Sequence, residues 1–313
     1  MRKTAFIFPG QGAQAIGMGK EFFDNYDVAK KLFNAADDAL GFSIKEMCFN
    51  GSEADLQLTA NTQPAILVVS VIASEILKSE EIEPSIAGGH SLGEYSALVS
   101  AGAIAFEDAV VLVHKRGQFM QEAVPVGEGA MAAIIGLDDE KIIEVCNRLT
   151  QSVGTVEAVN FNCPGQTVIA GTAKAIQAAV DELKALGAKR SVILPVSAPF
   201  HSRLMESAAE KLAAELDKVS IKDAKFPIAA NVDGKLEQDS ATIKRNLISQ
   251  TAHPVKWIAC VKTMRDFGVD TFIEVGPGKT LCGFNRRIDR NLSSCNVENI
   301  ESLNQTLEQL KKD

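Results

Sequence analysis

Apolar and polar residues alternate along this chain in two periods, and the switches between them mark out its elements. Thr4–Phe8 is a short apolar run closed by Pro9-Gly10-Gln11-Gly12, the pattern of a buried strand entering a loop. Residues 20–58 carry apolar positions at helical spacing, with Gly41 and Gly51 as stops. Asn61-Thr62-Gln63-Pro64 reads as a helix start, and Ala65–Leu77 is apolar on most faces, which predicts a buried helix. After Pro84, Ile86–Gly89 predicts a second buried strand, followed by a glycine-rich turn and a helix through Leu98. Glu107–Glu122 is an amphipathic helix.

Between 125 and 195 the pattern changes. Ala130–Leu137 reads as a strand, Asp138–Leu149 as a helix with acidic residues in its first turn, and Val156–Phe161 and Thr167–Ala170 as a hairpin around Asn162-Cys163-Pro164-Gly165. Thr172–Leu186 is a helix ended by Gly187, and Arg190–Leu194 a strand. This β-α-β-β-α-β order is that of a ferredoxin-like unit, and Pro125 and Pro195 bracket it as hinges. The chain then resumes with the loop 197–202, helices at Leu204–Leu216, Ile243–Gln250 and Trp257–Phe267, and strands at Phe226–Asn231 and Thr271–Val275, the last closed by Gly276-Pro277-Gly278. Short apolar strands alternating with helices predict an α/β fold with a mostly parallel sheet. The expected organisation is a discontinuous larger domain, 1–124 and 196–313, with a small domain, 125–195, inserted into it.

Composition narrows the function classes. The 313 residues are 46% hydrophobic and 23% charged, ordinary for a globular protein. A net charge of −8 disfavours general nucleic-acid binding, which needs a basic surface. No unbroken run of 18 apolar residues is present, and Arg2-Lys3 leads straight into a strand without a cleavage-site pattern, so neither a membrane span nor a signal peptide is expected. A cytoplasmic protein is the expectation. The six cysteines form no C-x-x-C pair and sit mostly in apolar runs, which favours reduced core thiols over zinc or disulfides. Gly10, Gly12, Gly17 and Gly19 bare the backbone of the first loop for an oxyanion contact, but the Gly-Lys-Ser/Thr end of a P-loop is missing.

The candidate chemistry centres on Gly89-His90-Ser91-Leu92-Gly93, which fits G-x-S-x-G. A serine on a sharp strand-to-helix turn needs neighbours without side chains, and the turn aims the first N–H groups of the next helix at whatever the serine attacks. The pattern alone also fits a glycine turn with a capping serine. Arg116 has Leu112, Val113, Phe119 and Met120 as its helical neighbours, so it must either find an anion or reach past them to water. A serine nucleophile needs a base. Of the four histidines, His90 should point away from the serine, His114 faces away from Arg116, and His253 precedes Pro254 as a turn residue; elimination leaves His201. No aspartate follows in hydrolase order, so a carbonyl or amide must orient the base. That arrangement suits a thioester, whose thiolate leaves readily.

Five separated motifs in order, Pro9-Gly10-Gln11-Gly12, Gly89–Glu94, Arg116, Phe200-His201-Ser202 and Glu274–Gly278, resemble those of the malonyl-CoA:acyl carrier protein transacylases, and Val159–Gln166 resembles the family's small-domain stretch. The resemblance runs nearly end to end. Ala198-Pro199 falls where members vary. The resemblance implies an α/β-hydrolase-like core with the ferredoxin-like insert. It implies Ser91 as nucleophile, His201 as base, the Gln11 and Leu92 amides as oxyanion hole, Arg116 as clamp on the malonyl carboxylate, Gln250 beside the base and Asn160 near the cleft. Phe200 and Leu92 resemble the choices of malonyl-selective members. The implied reaction moves malonyl from malonyl-CoA to the phosphopantetheine thiol of an acyl carrier protein, with no metal and no cofactor. The alternatives are a serine hydrolase of small esters and a non-catalytic carrier-binding module. A monomer is expected, and Lys189-Arg190 or Arg286-Arg287 with Arg290 would supply the local basic patch that an acidic carrier needs.

Overall fold

The computed structural model describes residues 3–196 and 198–312; Ser197, the first residue of the 197–202 loop, lies outside the described residues, as do Met1, Arg2 and Asp313. The chain opens with β1 (Thr4–Phe8) and five helices, α1 (Lys20–Asn25), α2 (Asp27–Leu40), α3 (Ile44–Asn50), α4 (Glu53–Gln57) and α5 (Thr59–Ser79). Then come β2 (Ile86–Gly89), α6 (Gly93–Ser100) and α7 (Phe106–Glu122). The middle stretch holds β3 (Gly129–Ile135), α8 (Asp139–Ser152), β4 (Val156–Cys163), β5 (Gln166–Thr172), α9 (Ala173–Ala185) and β6 (Arg190–Ile193). A 3₁₀ turn, Arg203–Met205, leads to α10 (Glu206–Leu216), β7 (Ile228–Ala229), β8 (Leu236–Glu237), α11 (Ser240–Ala252) and α12 (Trp257–Asp266). The chain closes with β9 (Thr271–Val275), α13 (Thr280–Ile288), β10 (Ser293–Val297) and α14 (Ile300–Lys312).

Six strands form one sheet in the order β10-β9-β1-β2-β7-β8, parallel except for the β7–β8 hairpin. β1 is buried along its whole length, as a central parallel strand must be. Its alternation sends Phe6 and Phe8 into the core under α5 to α7, and Ala5 and Ile7 into the core formed with Trp257, Met264 and Phe272 on the opposite face. β4-β5-β3-β6 form a second, antiparallel sheet. Ile142, Cys146, Ile176 and Leu183 of α8 and α9 cover one of its faces. Met131, Val159 and Val168 on its other face pack with Met120, Phe200 and Met205, which closes a cleft between the sheets.

The structure departs from the sequence reading most clearly at three places. α5 begins at Thr59 rather than at Asn61, so Pro64 falls inside it. Proline has no N–H to give the carbonyl four residues back, and the Ala60 carbonyl is instead bonded by His114 Nδ1 at 2.7 Å. The expected strand 226–231 shrinks to Ile228–Ala229, because Pro227 cannot donate and the Asn231 amide turns to the Glu94 carboxyl. The sequence reading assigned no element after Gly278; α13, β10 and α14 lie there. α5 is long and apolar enough to span a bilayer by length and composition, but 83% of that window is buried within the fold.

Candidate active site

The turn after β2 is tight enough to require both of its glycines. A Cβ on Gly89 would lie 1.9 Å from the Gly93 carbonyl carbon, and one on Gly93 would lie 2.0 Å from the Phe8 oxygen. Ser91 between them takes φ 53°, a left-handed conformation that costs energy in a residue with a side chain. Asn231, just beyond β7, braces the turn from both sides. Its Oδ1 accepts from the Ser91 amide at 2.7 Å, and its Nδ2 donates to the Gly89 carbonyl at 2.7 Å.

His201, also at positive φ (62°), places Nε2 2.7 Å from Ser91 Oγ. Its Nδ1 lies 2.8 Å from the Gln250 main-chain carbonyl. A carbonyl only accepts, so the proton sits on Nδ1 and the Nε2 lone pair faces the serine, the tautomer a general base needs. Burial, and next the Arg116 guanidinium, push the imidazole pKa down to about 3, so the ring is neutral at neutral pH. The orienting group is a carbonyl, as the missing aspartate required.

Arg116 is 1% exposed. Gly117 lets α7 sit directly on the start of α5, where a Cβ would meet the Thr59 oxygen at 2.6 Å. This close approach brings Gln63 of α5 to the guanidinium. Arg116 Nη1 donates to Gln63 Oε1 at 2.7 Å, and Nη2 donates to Gln250 Oε1 at 2.8 Å and to Ser91 Oγ at 3.1 Å. The cation also lies 5.4 Å from the centre of the Tyr95 ring. Among the described residues no carboxylate comes within 4 Å of it, and Arg116 Nε is buried without a partner. Burial lowers its pKa, but guanidinium stays charged. A buried cation held by neutral amides beside the serine is a receptor for an anionic acyl group.

A cavity of about 100 Å³ opens at this point, lined among others by Gln11, Leu92, Asn160 and Phe200 together with Ser91 and Arg116. A second cavity of about 220 Å³ shares Gln11, His90 and Asn160 with it and runs outward past Gln166 and Phe284. The register pairs Phe8 with Gly89, so Gln11 and Leu92, each three residues further on, leave neighbouring strand ends side by side. Neither amide has an acceptor among the described residues. Asn160 Oδ1 is likewise buried without a partner. His90 turns away from Ser91, with its Nε2 2.8 Å from Asn162 Oδ1, and His253 bonds back to Ser249.

The structure thus gathers seven of the expected site residues around one cavity, Ser91, His201, Gln11, Leu92, Arg116, Asn160 and Phe200, and sets the eighth, Gln250, against His201 and Arg116. It adds Gln63, Asn231 and Glu94, which the sequence reading missed. Glu94 carried a signal, as an acidic residue on an otherwise apolar elbow helix; Asn231 carried none. No group of three or more His, Cys, Asp or Glu side chains that could hold a metal is found among the described residues.

Residues 5–304 match the acyl transferase domain family. The chain is 47% identical over its full length to the malonyl CoA-acyl carrier protein transacylase of Bacillus subtilis strain 168, 99% of which is covered. It superposes with TM-score 0.94 on the acyl carrier protein S-malonyltransferase of Vibrio cholerae O1 biovar eltor, at 44% identity over 97% of this chain and 99% of that one. It superposes equally well, with TM-score 0.95 and 43% identity over 98% and 99% of the two chains, on a structure of a type II PKS acyl-carrier protein in complex with its malonyl-transacylase. With its motifs spread over both sheets and these matches covering nearly all of its length, the chain belongs to the acyl transferase domain family, among the malonyl CoA-acyl carrier protein transacylases.

Proposed function

We propose that this protein transfers a malonyl group from malonyl-CoA to the phosphopantetheine thiol of an acyl carrier protein, for fatty acid synthesis, through a malonyl ester on Ser91. The observation that carries the reading is the pair of contacts on Ser91 Oγ: a neutral imidazole at 2.7 Å and a guanidinium without a carboxylate partner at 3.1 Å.

In the first half-reaction His201 Nε2 takes the Ser91 hydroxyl proton as Oγ attacks the thioester carbonyl. The amides of Gln11 and Leu92 hold the oxyanion, and loss of one such donor typically costs about 10²–10³ in rate. The C–S bond breaks, and the CoA thiolate leaves with the proton from His201. In the second half-reaction the carrier thiol gives its proton to His201 and attacks the ester. The C–O bond breaks and the proton returns to Ser91 Oγ. The scheme calls on no metal or cofactor. Arg116 pairs with the malonyl carboxylate, while Phe200 and Asn160 line the pocket. The 100 Å³ inner cavity suits a three-carbon acyl group, and the outer one suits the thiol arm.

The carrier must dock on an acidic protein. Lys189 packs against Gly136, and Gly136 and Gly165 are joined by a 2.8 Å hydrogen bond. Arg287 donates to the Pro164 carbonyl at 2.9 Å and to Gln166 Oε1 at 2.7 Å. Lys189 and Arg287, one from each basic cluster, therefore lie near each other on an exposed face beside the outer cavity, suited to an acidic carrier. The larger sheet with its helices fits an α/β-hydrolase-like core. The β4-β5-β3-β6 order fits a ferredoxin-like insert spanning 125–195. A cytoplasmic monomer is part of this reading. The serine hydrolase alternative leaves Arg116 without a task.

The test is intact mass after mixing with malonyl-CoA. A malonyl-sized adduct is expected, and it should vanish in Ser91→Ala; an unlabelled unaltered protein sinks the scheme.

A further inference from the structure

Behind the nucleophile lies a carboxyl group that the reaction scheme does not use. Glu94, in the first turn of α6, is fully buried. One of its oxygens, Oε2, accepts from the Asn231 amide at 2.9 Å and from Gln250 Nε2 at 3.2 Å; the other, Oε1, is buried without a partner. Those two partners hold everything that reacts. Asn231 grips the nucleophile turn at the Ser91 amide and the Gly89 carbonyl. Gln250 donates to the Ser91 carbonyl at 2.8 Å, accepts from Arg116 with its side chain, and orients His201 with its main chain. These contacts bridge separations of 137 and 156 residues.

The charge state follows from what faces the group. Arg116 approaches from α7 but directs its Nη donors to Gln63, Gln250 and Ser91. Glu237 on β8 is a second buried acid, and Cys260 on α12 and Tyr95 on α6 also face Glu94. Asp233, between β7 and β8, adds negative charge near Glu237 and Cys260. No basic nitrogen lies within 4 Å of Glu94 among the described residues. A carboxylate buried without an ion pair and near another acid keeps its proton. Burial first, and then Glu237, push the Glu94 pKa up to about 8.

We infer that Glu94 is a positioning residue that works as a neutral carboxyl, tying the Asn231 clamp on the nucleophile to the Gln250 clamp on the base and the guanidinium. Neutrality has a use. An ionised Glu94 would compensate Arg116 through space and compete with the substrate's own carboxylate. A protonated one braces the site and leaves the guanidinium charge for malonyl. The inference rests on the acyl-transfer reading proposed above.

The experiment is single-turnover acylation by malonyl-CoA, scored by intact mass from pH 6 to 9.5, for the unaltered protein, Glu94→Gln and Glu94→Leu, with thermal melts. Gln keeps an acceptor oxygen at the Oε2 position and cannot ionise, so at pH 7 it should acylate within about threefold of the unaltered protein. Leu should slow acylation by about tenfold or more at saturating malonyl-CoA, with the half-saturating concentration within about threefold, because it loosens geometry rather than substrate affinity. Above pH 8 the unaltered protein's half-saturating malonyl-CoA should rise as Glu94 ionises beside Arg116, and that of Glu94→Gln should stay level. If Gln is as slow as Leu, the charge is needed and the inference is wrong. It also fails if Leu acylates at the normal rate, or if both proteins show the same alkaline rise. Should Leu not fold, the alkaline comparison carries the test: a rise in half-saturating malonyl-CoA above pH 8 that Glu94→Gln lacks supports the inference, and the same rise in both, or in neither, overturns it. An unaltered protein that forms no Ser91 adduct would instead sink the acyl-transfer reading.

Discussion

Truncation of Arg116 separates recognition of the acyl group from chemistry on it. Arg116→Ala removes a cation that is 1% exposed and leaves only neutral groups where the malonyl carboxylate would sit. Truncating one partner of a buried, hydrogen-bonded charge pair costs about 2–5 kcal/mol. At 1.36 kcal/mol per tenfold, this is a loss of about thirty- to five-thousandfold in malonyl transfer. The upper half of that range is expected, because no other basic group lines the inner cavity except the neutral His90 and His201. Acetyl carries no carboxylate and should transfer as well as before or better, since the uncompensated cation is gone. Folding should weaken modestly. Gln63 Oε1 and Gln250 Oε1 lose their donor, at about 1–3 kcal/mol for each acceptor left buried and unpaired. Removal of an unpaired buried charge offsets part of this. Arg116→Lys keeps the charge without the planar fork, cannot serve Gln63 and Gln250 together, and should fall between the two. The assay is rapid-quench acylation with malonyl-CoA and acetyl-CoA in parallel. If Arg116→Ala is folded, still acylated at Ser91, and keeps its malonyl-over-acetyl ratio, then Arg116 is a structural arginine and the carboxylate binds elsewhere.

Three further outcomes follow from the same geometry. His201 must be neutral to act as base, and its pKa is pushed down to about 3, so the acylation rate should stay level from pH 7 down to about pH 5; a fall centred near the ordinary histidine value of about 6.5 would contradict the buried, carbonyl-oriented imidazole. Gly89→Ala should destabilise by more than the usual ~1–3 kcal/mol of overpacking, since its Cβ would overlap backbone, whereas Gly283→Ala in α13, with open space around it, should gain a few tenths to about 1 kcal/mol; thermal melts of the pair check both. Charge reversal at Arg287 and Lys189 together should raise the KM for carrier protein, most at low salt, and leave acylation by malonyl-CoA alone; equal effects on both half-reactions would remove this patch from docking.

The sequence by itself determined those parts whose cause is local. β2 and β9 have the limits that their apolar runs and closing glycines predict, and Gly89 is required by a contact with Gly93 four residues on. The elements of 125–195 were legible because each buries one face on its own sheet, which preserves a clean period. β10 escaped notice because four of its five residues are only half-buried and two are serines, so it has no apolar alternation to read. Motif and elimination could name Ser91 and His201 as candidates, but not set them 2.7 Å apart across 110 residues. That distance depends on which strands became neighbours: β2 lies between β1 and β7, which brings Gln11 from one side and Asn231 from the other. Gln63, Asn231 and Glu94 became site residues for the same reason. Hydrogen-bond geometry is fixed to fractions of an ångström by packing between distant elements, and no local pattern of side chains encodes which buried amide will meet which carboxyl.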